Sequence, residues 1–517
     1  MSDPFSVEFL NRDSSERPPG PWDLQVMKYS RAAIGGPKDA TIIARGDRLG
    51  IWELAEMMRG GVVIRDEKRQ QEIFSGYIGD LTLNVDGKRI RISTDPMANK
   101  IAVAYTLTQF RFTTIWAENT ESIATYGTKS LLLTARDLTD NQASDYRDTE
   151  LARRKYPVVS RPFPGRPGEQ YAEITCRGWW DTLKWTYYAQ DEGVEAYEEL
   201  NSFAGREIGE DDRPIAAQSF QNSAATDWDA VTIDLRIRVK GAPADNLNVD
   251  LYSDVAGDPG AALATSVTAG GTFTTGHKWY TFTLSAPVTL TAGATYWIRI
   301  SRSGAVDLDN YYIVDGNNGM GYTLGEMKIY RTATASWITW PHDCDFNFKV
   351  AGTSETTTQI KAAIDAEGQF FGGCDILDAS GVYTNQSRRG DNLTIYEIEE
   401  LMNKGTANDR RLIAKVRENR RVEIYEEPAL NEADYSQDIN GVIRDQHNAI
   451  VPASECPVGV WMRFDDIIPA SVNVSRLSNP AYAFVEEAEY NPMTDLYTIT
   501  KTRDVDTLRQ ALGVSDG

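Results

Sequence analysis

The chain has 517 residues, 41% hydrophobic and 25% charged, with a formal net charge of −22. That length and composition fit a globular protein of roughly two to four domains, and the charge excludes a surface that holds nucleic acid by neutralising phosphates. No apolar run reaches membrane-spanning length, and the start, MSDPFSVEFLNRDSS, lacks a basic-then-apolar secretory signal, so folding is expected where the chain is made.

The first part of the chain, 1–205, mixes strands with short helices. Residues 23–29 and 40–44 read as strands, 48–58 (RLGIWELAEMM) as a helix stopped at Gly60-Gly61, and 62–65 and 73–78 as strands. Leu81, Leu83 and Val85, then Asp86-Gly87, then Ile90 and Ile92 form a hairpin signature, because Asp-Gly supplies the two positive-φ residues of a tight turn. Residues 101–107 read as a strand. Residues 139–154 read as a helix opened by Thr139 or Asp140 and closed before Pro157, and 173–186 (EITCRGWWDTLKWT) read as an aromatic β segment.

A different texture follows over 206–354. VTIDLRIRVK, Val231 to Lys240, alternates apolar and polar residues, the period of a strand with one buried and one wet face. Strands are expected at 231–239, 247–252, 280–284, 296–300, 327–329 and 346–350, separated by turns such as Gly257-Asp258-Pro259-Gly260 and Gly316-Asn317-Asn318-Gly319. The pattern predicts an antiparallel sandwich of jelly-roll type. The mixed texture returns over 355–517: a helix at 356–367, a helix opened by a Thr394/Glu397 capping box, hairpins at 412–425 and 481–502, and a short closing helix at 505–512. The fold class expected is mainly β with some α, one domain inserted inside another.

Cys176, Cys344, Cys374 and Cys456 form no CxxC pair and read as buried free thiols. With only His277, His342 and His447 present, histidine-based metal or triad chemistry has little to draw on.

Three phrases in order resemble the tail hub, or baseplate hub, proteins of tailed bacteriophages: Gly76-Tyr77-Ile78 continuing to Asp95-Pro96-Met97-Ala98-Asn99-Lys100-Ile101-Ala102-Val103-Ala104-Tyr105, then Ser122-Ile123-Ala124-Thr125-Tyr126-Gly127, then Thr175-Cys176-Arg177-Gly178-Trp179-Trp180. The resemblance covers most of 20–205 and, more weakly, 355–515. It implies β-barrel-like domains in a homotrimeric ring that continues the tail tube. It also implies a non-enzymatic virion role at the tail tip after assembly in the host cytoplasm, with tail-tube, distal-tail-ring and fibre or tip proteins as neighbours. DNA would pass through the lumen without specific binding, which acidic walls suit. The insert, from Ala216-Ala217-Gln218-Ser219-Phe220, resembles the carbohydrate-binding-like jelly rolls embedded in phage tail proteins, which implies host-surface glycan contact or decoration. The alternatives are a distal tail ring protein, or a glycan-binding or polysaccharide-degrading protein unrelated to a hub.

Sugar rings stack on exposed aromatics. Trp279 lies on the parity opposite Tyr280, Phe282 and Leu284, and Trp297 shares its parity with Arg299, while Trp337, Trp340, Tyr311 and Tyr312 fall in or near loops; these are the glycan-binding candidates. Asp307, Asp309 and Asp315, with Asn317, offer hard oxygen ligands for calcium, although their spacing matches no defined loop, and turn acids are the plainer reading. No other cofactor is expected. His342-Asp343-Cys344-Asp345 alternates with Phe346 and Phe348 as a strand does. No nucleophile elbow lies near the histidines and no phosphate-cradling loop is present, so no catalytic residues are assigned.

Overall fold

The computed structural model describes residues 5–107, 110–189, 193–197, 204–210, 214–224, 227–318, 322–339, 344–385, 389–429, 435–438, 441–464 and 482–504. Strands account for 53% and helices for 15%, which sets the protein in the β-rich α+β class, and its sheets curl. Among the described residues no helix is long and apolar enough to cross a membrane.

Among the described residues the largest sheet has 15 strands, and its central order is Gly61–Asp66, Gln71–Val85, Tyr171–Gly178, Gly36–Arg45, Asp23–Ala32, Tyr482–Asn491 and Trp461–Phe464. The two ends of the chain meet inside it: Tyr29 pairs with Tyr490 and Ala32 with Glu487, antiparallel. Val26, Ile42, Ile64, Ile78, Ile174 and Val485 are buried together in its core. The predicted hairpin forms, with Asp86 and Gly87 at φ 52° and 72°. Gly76 stands opposite Gly178 in the ladder between Gln71–Val85 and Tyr171–Gly178, beyond the slip at Thr175 and Cys176. A Cβ there would stand 2.1 Å from the Arg177 carbonyl oxygen, so only glycine allows that approach.

A second core joins the same two segments. Trp179, Leu183 and Trp185 pack with Ile360 and Ile364 of the helix Thr356–Asp365, Ile398 and Leu401 of the helix Thr394–Met402, and Leu412 and Ile424 of a three-stranded sheet. The WWDTLKW stretch is a 3-10 helix, Trp179–Trp185, rather than part of a strand: its indoles fill the space between the large sheet and the helices. The expected capping box at Thr394 is not made. Leu393 is the N-cap, the Thr394 hydroxyl meets that of Thr186 at 2.9 Å, and Glu397 accepts from Asn392. Tertiary partners outcompete the local cap. The helix Asp140–Arg154 does carry a capping box, between Thr139 and Gln142. The helix expected at 48–58 is an α-helix, Arg48–Glu53, tightening to a 3-10 turn, Leu54–Met57.

Between these halves lie two antiparallel sheets, of eight and six strands, that share one core. Ile233, Leu235 and Ile237 from Trp228–Lys240 and Phe348 and Val350 from Phe348–Glu355 face Val249, Leu251 and Ile298 of the other sheet. The unit starts earlier than the expected boundary at 206. Val194–Tyr197 already pairs with the outgoing strand, Val194 against Ala351, and Ala204–Ile208 pairs with Tyr311–Asn318. That last strand includes Gly316-Asn317-Asn318, read from sequence as a turn, and Asp258–Ala269 forms a further strand not anticipated. Cys176, Cys374 and Cys456 are buried and unpaired. The side chains of His342, Asp343 and Cys344 and the helix expected at 505–512 lie outside the described residues.

Candidate functional site

The alternation of VTIDLRIRVK sends Thr232, Asp234, Arg236, Arg238 and Lys240 to the outer face of the eight-stranded sheet. Cross-strand register then fixes their neighbours. Arg236 stands opposite Trp279, Asp234 opposite both Thr281 and Lys349, and Arg238 opposite Ile313. Asp315, two residues further along the same strand face, is nearly buried. Its carboxylate meets His277 Nδ1 at 2.6 Å, Arg236 Nε at 3.4 Å and Arg238 Nε at 3.6 Å. The Lys349 ammonium lies 5.6 Å from the centre of the Trp279 ring. Because Lys349 and Trp279 are on strands flanking Trp228–Lys240 on opposite sides, the indole lies across the intervening strand as a platform.

Two features give this face chemical capacity. Arg236 and Arg238 are one-fifth to one-third exposed, and no hydrogen bond to a described residue occupies their Nη groups. The Arg238 Nε and an Asp234 oxygen are buried without a hydrogen-bond partner. Buried polar atoms left unsatisfied cost about 1–3 kcal/mol each unless water or a ligand completes them. A half-buried indole bordered by planar side chains with unspent donors and acceptors suits a sugar: the ring face stacks on the indole and vicinal hydroxyls bridge the forks.

The other aromatic candidates are placed differently. Trp297 does share its face with Arg299, but it is 1% exposed. Its Nε1–H donates to Asp254 at 2.8 Å and the Lys328 ammonium covers the ring at 5.4 Å, so it is unavailable as a platform. Tyr312 is wholly buried in the sandwich core, its hydroxyl donating to the Asp245 carbonyl. Tyr311 is outward but covered, with Lys240 over its ring at 4.9 Å. Trp337 packs edge-on against Tyr330 on the six-stranded sheet, away from Trp279. Trp340 lies outside the described residues. The calcium candidates do not converge: Asp307 is spent on the backbone amides of Asp309 and Asn310, whereas Asp315 is engaged by His277, Arg236 and Arg238. Among the described residues no group of three acidic, histidine or cysteine side chains could hold a metal. Arg236, Arg238, Lys349 and His277 were not singled out by sequence reasoning; for the two arginines, the polar half of the VTIDLRIRVK alternation was the available signal.

In the flanks, the three quoted phrases come together. The buried Asn99 amide donates to the Gly127 carbonyl at 2.7 Å and to Ser122 Oγ at 3.2 Å, and its oxygen accepts from the Lys129 amide at 2.7 Å. Asp95 pairs with Arg177 at 2.7 Å, and Tyr77 donates to Asp181 at 2.8 Å. A cleft of about 460 Å³ opens where the first and last segments join, lined by Ile34, Trp180, Ile395 and several charged side chains. Seven of those charged side chains pair with one another: Lys38–Glu487 at 2.6 Å, Lys184–Asp181 at 2.7 Å, Arg411–Glu486 and Lys501–Glu486 each at 2.8 Å. The cleft is an ionic seam between chain segments and assembles no nucleophile with a base.

No family model matches the chain, and no curated protein does. Among solved structures it is similar to the cysteine protease and lectin-like domains of Cwp84, a surface-layer-associated protein of Clostridium difficile, at 11% identity and a TM-score of 0.21, over 35% of this chain and 38% of that one.

Proposed function

We propose that this protein is a structural component of a bacteriophage tail tip: a ring-forming, non-enzymatic hub that continues the tail tube. In this reading the sandwich, of jelly-roll type, is displayed outward and uses the Trp279 face to contact host-surface glycan. The observation that carries it is the nested architecture. One host sheet is closed by strands from both ends of the chain, and the guest is spliced in through strands that lie side by side, Val194–Tyr197 against Phe348–Glu355. Adjacent termini let a module be displayed from a scaffold without straining it. The convergence of the three hub-like phrases on Asn99, Asp95 and Arg177 supports reading them as one unit. Curled, barrel-like sheets leave few free edges, which suits ring assembly, and a net charge of −22 suits a lumen that DNA crosses without sticking.

Mass photometry of the full chain tests the assembly claim. A homotrimer or a higher ring is expected; a monomer that persists at micromolar concentration overturns the hub.

A further inference from the structure

We infer that the Trp279 face takes an acidic glycan, one carrying carboxylate or phosphodiester groups along the polymer; this rests on the glycan-facing reading above. Local charge complementarity, in an otherwise acidic molecule, points to it. Across the whole outer face of the eight-stranded sheet the charges balance, with Asp229 and Glu207 lying away from the indole, but around Trp279 it gathers Arg236, Arg238 and Lys349 against Asp234 and Asp315, while the whole chain stands at −22. The excess is concentrated at one point. Among the described residues Asp315 alone meets both guanidinium groups, each through Nε, so one carboxylate sits against two cations, with His277 on the same oxygen as Arg236. The Nη forks of both arginines keep donors that no described residue uses. Two planar forks beside an indole match an anionic group bound bidentately while the attached sugar ring stacks on Trp279. A neutral sugar would offer the two forks no counter-charge.

The full chain is tested by biolayer interferometry against four immobilised polymers. Polygalacturonate and its fully methyl-esterified form share a backbone and differ in charge. Poly(glycerol phosphate) carries the anion as phosphodiester, and dextran is neutral. Binding to polygalacturonate, to poly(glycerol phosphate) or to both, with at least a tenfold preference over the ester and dextran, is expected, and the two charged arms tell carboxylate from phosphodiester. Raising NaCl from 50 to 500 mM should weaken that binding about tenfold, because the contacts are screened. Arg238→Gln should weaken it about tenfold, the scale of one charge-assisted hydrogen bond. Arg236→Lys, which keeps the charge and removes the fork, should retain the salt dependence with lower affinity, and unchanged thermal unfolding confirms that each variant folds. Equal binding of the charged and esterified polymers, lost in Trp279→Ala, overturns the acidic-glycan inference and leaves the glycan face standing. Binding of none of the four overturns both.

Discussion

Trp279 and Trp297 both occupy outward positions of their sheets, and their surroundings set opposite consequences for replacing them. Trp297 is 1% exposed and spends its N–H on Asp254, so Trp297→Ala removes a packed indole and strands a carboxylate. A loss of about 3–5 kcal/mol is expected, read as the urea midpoint of the sandwich transition. Trp279 is half-buried and caps no core, so Trp279→Ala should cost about 1 kcal/mol or less in the same measurement while abolishing any glycan contact. Lys415 makes a different kind of claim. It lies buried on the same face of its strand as Ile413. Burial, then the neighbouring Arg31 and Arg417, push its amine down to about 7 against the pull of Glu423. The unfolded chain therefore holds this proton more tightly than the folded one, and stability should rise with pH between about 7 and 10.5. Lys415→Met should stabilise the protein by on the order of 2–3 kcal/mol below pH 7. The difference between variant and wild type should shrink as pH climbs to 9.5, measured by denaturant melts; a constant difference would refute the buried-amine account.

At the level of strands and helices, the boundary of the sandwich is itself testable. Residues 193–355 expressed alone should fold as a unit, whereas 206–354 lack Val194–Tyr197 and with it Glu195, whose carboxylate takes Ser223 and the Tyr322 hydroxyl. The shorter piece should melt roughly 5–10 °C lower, the shift produced by about 2–3 kcal/mol in a domain of this size. Why the sequence hid this boundary is physical. VTIDLRIRVK was legible because each residue obeys one period, and Asp86-Gly87 because its turn demands positive φ. Asp258–Ala269, with DPGAALATSVTA, is built from small residues and a proline and carries no alternation strong enough to read. Asn317 looked like a turn residue, yet it is buried in a strand and donates to the Tyr197 hydroxyl. At the site, the parity of Trp279 could be read from the chain. The meeting of His277 with Asp315 could not, because no local pattern links residues 38 positions apart. Thr394 shows the same limit in reverse: a good local capping pattern gave way to a hydroxyl partner 208 positions away.

Taken as a whole, the molecule is one body interrupted by another, and the two larger cores of the host need residues from either side of the guest. The large sheet draws Val26 and Ile42 from one side and Val485 from the other, and the Trp179–Trp185 layer packs between Tyr77 and the helices and three-stranded sheet that follow the sandwich. The sandwich asks nothing comparable of its host, since its apolar core is drawn from 208–350. Lys28 and Glu489, which meet across the closing strands, are 461 positions apart. A ribosome adding about 5–20 residues per second takes roughly 20–90 s to cover that distance. During synthesis the guest is therefore finished and closed while Asp23–Ala32 still waits with a bare edge for a strand not yet translated. The nascent chain spends that interval with its first sheet half-made, which places its greatest need for chaperone protection before release rather than after it.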